Sequence, residues 1–173
     1  MTGVQTCALP ISHEEKLRHK RPAFGHRLYV KGEVSQPFNV VLYPMILQVF
    51  NTIGYNVVDV LHGKALIQLP LNPEFMGNSE PDLLHVDMNQ KHVVFLYYVD
   101  DSDGDTIIVD KKYEGYNLSE KELNYKNYNV LKKVTPKKGR VVIFDGSYYH
   151  TAEQPKNNVR IILNYNVIIE KQK

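Results

Sequence analysis

LLHVDMNQKHVVFLYYVDDSDGDTIIVD, residues 83–110, is the stretch of sequence that decides the fold. Short runs of β-branched and aromatic residues alternate in it with clusters of Asp, Asn, Ser and Gly, a pattern typical of strands joined by tight turns. The pattern continues towards the C-terminus and predicts these strands: 83–88, 92–99, 105–110, 129–134, 139–145, 148–153 and 159–169. Many short strands at regular spacing indicate a β-sandwich or barrel.

A helix is predicted before this region. Residues 38–53 carry apolar side chains at helical spacing, at positions 42, 45, 46, 49, 50 and 53. Pro44 suits the first turn, which places the helix start near Leu42 or Tyr43, and Gly54 suits the stop. One or two helices before a mainly β region predict helical support on one face of a β core.

Two further strand predictions concern the same N-terminal part. Residues 27–31 alternate as a strand. Residues 55–61 and 64–70 flank His62-Gly63 and are predicted to form a hairpin, with His62 solvated in its turn.

The composition fits one globular domain. Of the 173 residues, 43% are hydrophobic and 23% are charged, close to the averages for soluble proteins. The net charge of +2 does not predict a nucleic-acid binder, which needs a clustered basic face. One cysteine, Cys7, excludes an internal disulfide framework, and no apolar run approaches the roughly 18 residues that span a bilayer.

The first twelve residues differ in character from the rest. Residues 1–12, MTGVQTCALPIS, lack the basic start of a secretion signal, and we expect a non-native or disordered leader in which Cys7 has no role. Residues 13–27 form a charged lead-in. Residues 13–173 are expected to be a single domain with its β core at about 83–169, located in the cytoplasm because no export signal is present.

Four residues carry the chemistry. His85 and Asp87 lie two apart on a predicted strand, so their side chains face the same side. His150 follows on a later strand, and two His with one carboxylate form the facial triad of non-haem Fe(II) oxygenases, which leaves coordination positions open. Arg160, on the last strand, is suited to a two-point contact with the distal carboxylate of a dicarboxylic cosubstrate.

Together these residues resemble a known family. Residues 83–169 are similar to the double-stranded β-helix core of the 2-oxoglutarate/Fe(II)-dependent dioxygenases, in particular the prolyl-4-hydroxylase-like branch with its small phage and bacterial oxygenases. The matching motifs are HVD at 85–87, FLYYVDDSDGDT at 95–106, VTPKKGRVVIFDG at 134–146, His150 and Arg160. One departure is DGD at 103–105, where many relatives have two glycines before the Thr.

The resemblance implies site residues one by one. The implied iron ligands are His85, Asp87 and His150. Arg160 is expected to pair with the far carboxylate of 2-oxoglutarate, and Tyr98 matches a Tyr whose hydroxyl often binds that carboxylate. Asn164, four residues after the Arg, is an inward-facing polar residue that the cosubstrate would satisfy.

The resemblance also implies the activity. An Fe(II)- and 2-oxoglutarate-dependent dioxygenase uses O2, with ascorbate as an optional addition, to hydroxylate an unactivated C–H bond and release succinate and CO2. The expected partner is a peptide or small-molecule substrate, not nucleic acid or a membrane, and the oligomeric state is left open. Two long loops are expected to shape the substrate mouth: 71–82 and 111–128.

Two other classes of protein remain open at this point. One is a cupin-like metal-binding module without oxygenase chemistry, which needs no carboxylate clamp. The other is a non-catalytic protein that kept the fold.

Nearby polar residues are assigned structural roles. His92 is expected to be structural or at the rim, and the acidic run 100–105 is interpreted as a solvated turn in which Gly104 adopts a positive φ. Four lysines at a strand end and turn are interpreted as a solvated edge that discourages edge pairing: Lys132, Lys133, Lys137 and Lys138.

Overall fold

The computed structural model describes residues 23–30, 33–70 and 81–173. The predictions for the leader 1–12 and for most of the loop 71–82 lie outside these residues. In the described ranges, no helix combines the length and hydrophobicity that crossing a membrane requires. The helical elements are a π-helical turn Phe38–Leu42, helix α1 Tyr43–Thr52 and a 3-10 turn Tyr125–Asn127. The strands are β1 Ala23–Val30, β2 Glu33–Val34, β3 Tyr55–Gln68, β4 Val93–Tyr98, β5 Thr106–Lys112, β6 Val130–Val134, β7 Val141–Asp145, β8 Tyr148–Ala152 and β9 Arg160–Lys171.

The strands form two antiparallel sheets. The larger has the order β2-β1-β3-β9-β4-β7 and the smaller the order β6-β5-β8. Strand β9 lies between β3 and β4 in the larger sheet, so strands that are far apart in the sequence pair in the middle of this sheet. This architecture confirms the predicted mainly β fold class with a supporting N-terminal helix. The predicted strands from 92–99 to 159–169 are all present, with ends shifted by up to two residues.

Helix α1 supports the larger sheet. It begins where the sequence predicts, with Pro44 in its first turn, where a missing N–H costs no hydrogen bond. Its buried face carries Ile46 and Phe50, and Phe50 packs on Phe95 of β4 with ring centroids 5.8 Å apart. The chain leaves the helix through Gly54, whose φ of +81° is the left-handed conformation that favours glycine.

The predicted hairpin at 55–70 is wrong. Residues 55–68 form one continuous strand, β3, which pairs with β1 on one side and β9 on the other. His62 is half-buried within this strand rather than solvated in a turn. Gly63 serves close packing instead of a turn, because a Cβ there would lie 2.5 Å from the Tyr165 ring.

Two local predictions between residues 83 and 105 are also wrong. Residues 83–88 do not form a strand: only His85 pairs there, in an isolated antiparallel bridge with His150. Gly104 is absent from the described glycines with positive φ. It is instead buried against the chain, where a Cβ would lie 2.7 Å from the Glu153 carbonyl oxygen. Pairing partners and close neighbours decided both conformations, and neither is visible in the local sequence.

The polar surface segments match their predicted structural roles. Strand β6, with its exposed lysines, is an edge of the smaller sheet. In the acidic run, Asp101 accepts a hydrogen bond from the Lys138 backbone N–H at 2.7 Å, and Asp103 accepts from the Asn157 backbone N–H at 3.0 Å. The acidic groups therefore fix turns. His92 is buried, and its Nδ1 lies 2.7 Å from the Gln90 carbonyl, which agrees with a structural role.

Candidate metal and cosubstrate site

A cavity of about 750 Å³ opens in the core and is lined by residues of both sheets. Its wall on the larger sheet includes three cross-strand pairs of β3 and β9: Lys64 with Asn164, Leu66 with Ile162, and Gln68 with Arg160. Residues two apart in a strand share a face, so all three pairs face the cavity. The outer pairs are polar and lie about 13 Å apart along the strands, with the apolar pair between them.

The His-Asp-His group lies at the Lys64–Asn164 end. The backbones of His85 and His150 exchange two hydrogen bonds of 3.0 Å, which brings their imidazole centroids to 4.5 Å. The Asp87 side chain is 3% exposed, and its Oδ2 lies 3.7 Å from His150 Nε2. One ligand atom from each residue falls within 4.8 Å of the others, which is the geometry of a three-ligand metal site. The predicted convergence of these three residues is thus confirmed, although a single bridge replaces the predicted strand.

Both imidazoles present the same nitrogen to this group. Nδ1 of His85 lies 3.4 Å from the Leu83 carbonyl, and Nδ1 of His150 lies 3.1 Å from the Tyr148 carbonyl. Because a carbonyl only accepts hydrogen bonds, each Nδ1 carries the proton and each Nε2 keeps its lone pair. This is the backbone support that metal-binding histidines usually have.

Loss of solvation in the cavity lowers the pKa of both imidazoles, although His85 is exposed and His150 is buried. Loss of solvation lowers the pKa of His85 to about 3, helped by His150, although His85 keeps accessible surface towards the cavity that it lines. Burial also lowers the pKa of His150, against the opposing pull of Asp87. Burial alone would raise the pKa of Asp87, but the cation of Lys64, the two histidines and a hydrogen bond from Asn164 hold it well below its usual range. The donor set is therefore ready for a divalent cation at neutral pH without losing a proton.

The two oxygens of Asp87 have different neighbours. Oδ2, which faces His150, accepts a hydrogen bond of 3.0 Å from Asn164 Nδ2. Oδ1 pairs with Lys64 Nζ at 3.5 Å. The carboxylate fixes the orientation of the Asn164 amide, because it can only accept a hydrogen bond from the NH2 group. Asn164 Oδ1 is left buried without a hydrogen-bond partner in the described part of the chain.

Arg160 lies at the other end of the cavity, 2% exposed. Its Nε donates to the Gly104 carbonyl at 2.8 Å, Nη1 to Gln68 Oε1 at 2.6 Å and Nη2 to Thr106 Oγ1 at 2.8 Å. All three of these hydrogen-bond partners are uncharged. Burial lowers the pKa of Arg160, and Tyr98, Asp82 and Asp105 oppose this shift. A buried cation whose hydrogen-bond acceptors are neutral favours an anion beside it.

Tyr98 contacts this end of the site through Thr106. Its hydroxyl donates to Thr106 Oγ1 at 2.7 Å, and the Tyr98 side chain is fully buried. Thr106 Oγ1 thus accepts from both Tyr98 and Arg160, which occupies both lone pairs and leaves its own proton to donate. Direct contact of Tyr98 with a cosubstrate stays a prediction.

Three residues of this site were missed by the sequence analysis: Lys64, Gln68 and Thr106. Lys64 and Gln68 belong to the stretch interpreted as half of a hairpin. A signal was present, because residues 64, 66 and 68 alternate polar, apolar and polar. The partners of Lys64 and Gln68 on β9 are about 90 to 100 residues away, however, and only the tertiary pairing brings them together.

Three solved structures resemble the chain. The non-heme alpha ketoglutarate dependent epimerase SnoN from nogalamycin biosynthesis is 12% identical, with a TM-score of 0.45 over 66% of this chain and 49% of its own. A Pseudomonas putida prolyl-4-hydroxylase is 13% identical, with a TM-score of 0.47 over 88% and 73%. A 2OG-Fe(II) oxygenase family oxidoreductase from Burkholderia pseudomallei is 15% identical, with a TM-score of 0.50 over 91% and 76%. The chain spans about half the length of SnoN.

The Burkholderia structure indicates the class of fold. No protein-family model and no curated protein matches the sequence. At 15% identity, the Burkholderia structure shows a shared fold, which is the double-stranded β-helix of the 2-oxoglutarate/Fe(II) oxygenases. The chain is therefore a double-stranded β-helix protein with a His-Asp-His group that can hold a metal ion.

Proposed function

We propose that the protein is an Fe(II)- and 2-oxoglutarate-dependent oxygenase. The observation that carries the proposal is the pairing of two features in one cavity: a His-Asp-His group at one end and, at the other, a buried Arg160 hydrogen-bonded to neutral groups. A metal-binding module without a cosubstrate has no use for the second feature. The cost of burying a guanidinium is offset when a carboxylate binds beside it.

The residues of the arginine end would hold the distal carboxylate of 2-oxoglutarate. Arg160 uses three of its five N–H groups on Gln68, Thr106 and Gly104, and the other two are available to the ligand. The Thr106 proton adds a neutral donor, and Tyr98 orients that hydroxyl. The apolar pair Leu66–Ile162 would cover the methylene groups and exclude water.

The residues of the metal end would hold Fe(II) through Nε2 of His85, Nε2 of His150 and the Asp87 carboxylate. When bound there, the metal supplies the chemistry of oxygen activation coupled to decarboxylation of the cosubstrate. Asn164 orients Asp87, and its partnerless Oδ1 is positioned to accept a hydrogen bond from a ligand in the cavity. Hydroxylation of an unactivated C–H bond in a peptide or small molecule, in a cytoplasmic setting, is the specific activity that we propose.

Uncoupled turnover tests the proposal. Purified protein supplied with Fe(II), 2-oxoglutarate, ascorbate and O2 should form succinate slowly even without substrate, measured by chromatography or a coupled assay. Asp87→Ala should abolish both iron retention and succinate formation, because it removes the only negatively charged ligand and leaves the metal ion with two neutral imidazoles. Iron-loaded protein that binds no 2-oxoglutarate would refute the proposal and favour the simple metal-binding module.

A further inference from the structure

Lys64 is the residue that the proposed function leaves unexplained. It faces the cavity from β3, opposite Asn164 of β9, and its side chain is 35% exposed. A cation 3.5 Å from a metal-binding carboxylate opposes the binding of a second cation. A lysine at this position therefore weakens the metal site unless it has another effect.

The different partners of the two Asp87 oxygens indicate what this other effect of Lys64 is. Oδ2 faces His150 Nε2 at 3.7 Å and is fixed by Asn164, whereas Oδ1 is paired with Lys64. A carboxylate with both oxygens available can take two positions on one cation. With Oδ1 held by an ammonium group, only Oδ2 is available on the imidazole side.

We propose that Lys64 is a positioning residue that keeps Asp87 a one-oxygen ligand and so preserves a coordination position for a bound anion. The inference rests on the proposed function, since it assumes a metal held by the His-Asp-His group. The ammonium also adds positive potential at the metal end of the cavity, which favours the carboxylate of a ligand there. Lys64 thereby weakens metal binding and strengthens binding of the organic acid.

These two effects have opposite signs, which makes the inference testable without turnover. Co(II) serves as the probe metal, and its affinity and visible absorption are measured by titration. Lys64→Met should bind Co(II) at least about tenfold more tightly than wild type, because a nearby like charge is gone. The Co(II)-loaded variant should bind 2-oxoglutarate about tenfold more weakly by calorimetry, and its absorption should differ from wild type before the acid is added. Lys64→Arg should restore wild-type behaviour.

Controls separate the possible failures. Lys111→Met removes a lysine paired with Glu114 outside the cavity and should change neither affinity. Lys64→Gln serves as a second neutral variant if Lys64→Met folds poorly. Weakening of both affinities, or no change in either, would overturn the role of Lys64 while the proposed function stands. Wild-type protein that binds no Co(II) would overturn both, because the metal site itself would be absent.

Discussion

Gln68→Glu is the sharpest test of the arginine end, because it changes charge with almost no change of shape. Gln68 is 6% exposed, and its Oε1 accepts a hydrogen bond of 2.6 Å from Arg160 Nη1. A glutamate would keep that hydrogen bond and place a negative charge about 4 Å from the guanidinium centre. The resulting ion pair would neutralise the cation that we propose for the cosubstrate.

The expected loss follows from Coulomb's law. At an effective dielectric constant of about 20, opposite charges about 4 Å apart attract by about 4 kcal/mol. Hydrogen bonds from Arg160 and Thr106 would survive the substitution, so we expect a net loss of about 2–3 kcal/mol, or about 30- to 150-fold in Kd. The metal-free variant should be at least as stable as wild type, because the buried guanidinium gains a counter-ion.

Calorimetric titration of 2-oxoglutarate into Co(II)-loaded protein measures this effect. Gln68→Met is the matched control, since it removes the hydrogen bond without adding charge and should cost less than Gln68→Glu. Co(II) affinity should be nearly unchanged in both variants, because Gln68 lies at the far end of the cavity from the His-Asp-His group. Unchanged 2-oxoglutarate affinity in Gln68→Glu would refute the assignment of Arg160 as the anion site.

Two further predictions concern stability. Gly63→Ala should destabilise the protein by about 1–3 kcal/mol in urea denaturation, because its Cβ would lie 2.5 Å from the Tyr165 ring. The control is Gly25→Ala on β1, where no atom lies nearer than 3.9 Å to the added Cβ. Equal losses of stability in the two variants would contradict this packing argument. Metal-free protein should lose stability as the pH falls below about 6.5, because the unfolded state binds a proton that His85, whose pKa in the folded protein is lowered by loss of solvation and by His150, does not. Urea denaturation midpoints measured between pH 7.5 and 4.5 should fall as the pH falls, and His85→Asn should reduce this fall. An equal fall in the variant would show that other groups cause the pH dependence.

Local sequence patterns predicted most of the strands and the helix correctly. Alternating β-branched residues bounded by turn residues identified the strands from β4 to β9, and Pro44 marked the start of α1. These features depend on neighbours along the chain, which the sequence displays directly. The hairpin at 55–70 failed because Gly63 resembles a turn residue, whereas its lack of a side chain makes room for Tyr165.

The candidate metal ligands could also be predicted from the sequence, but the electrostatic environment of the site could not. His85, Asp87 and His150 could be selected from residue types and motif, and so could Arg160 as the partner of an acid. Whether Arg160 was already neutralised depended on its neighbours. Only the fold shows that an amide, a hydroxyl and a carbonyl surround it.

The sequence by itself therefore predicted the class of fold and selected the three residues that converge in a group able to hold a metal ion. The tertiary structure decided which charges remain unpaired and how each Asp87 oxygen is used. Strand conformation and motif spacing are local, but electrostatic environment is set by cross-strand pairs such as Lys64–Asn164 and Gln68–Arg160, whose members are about 90 to 100 residues apart. Burial raises the energetic cost of an unpaired charge, and burial exists only after the chain has folded.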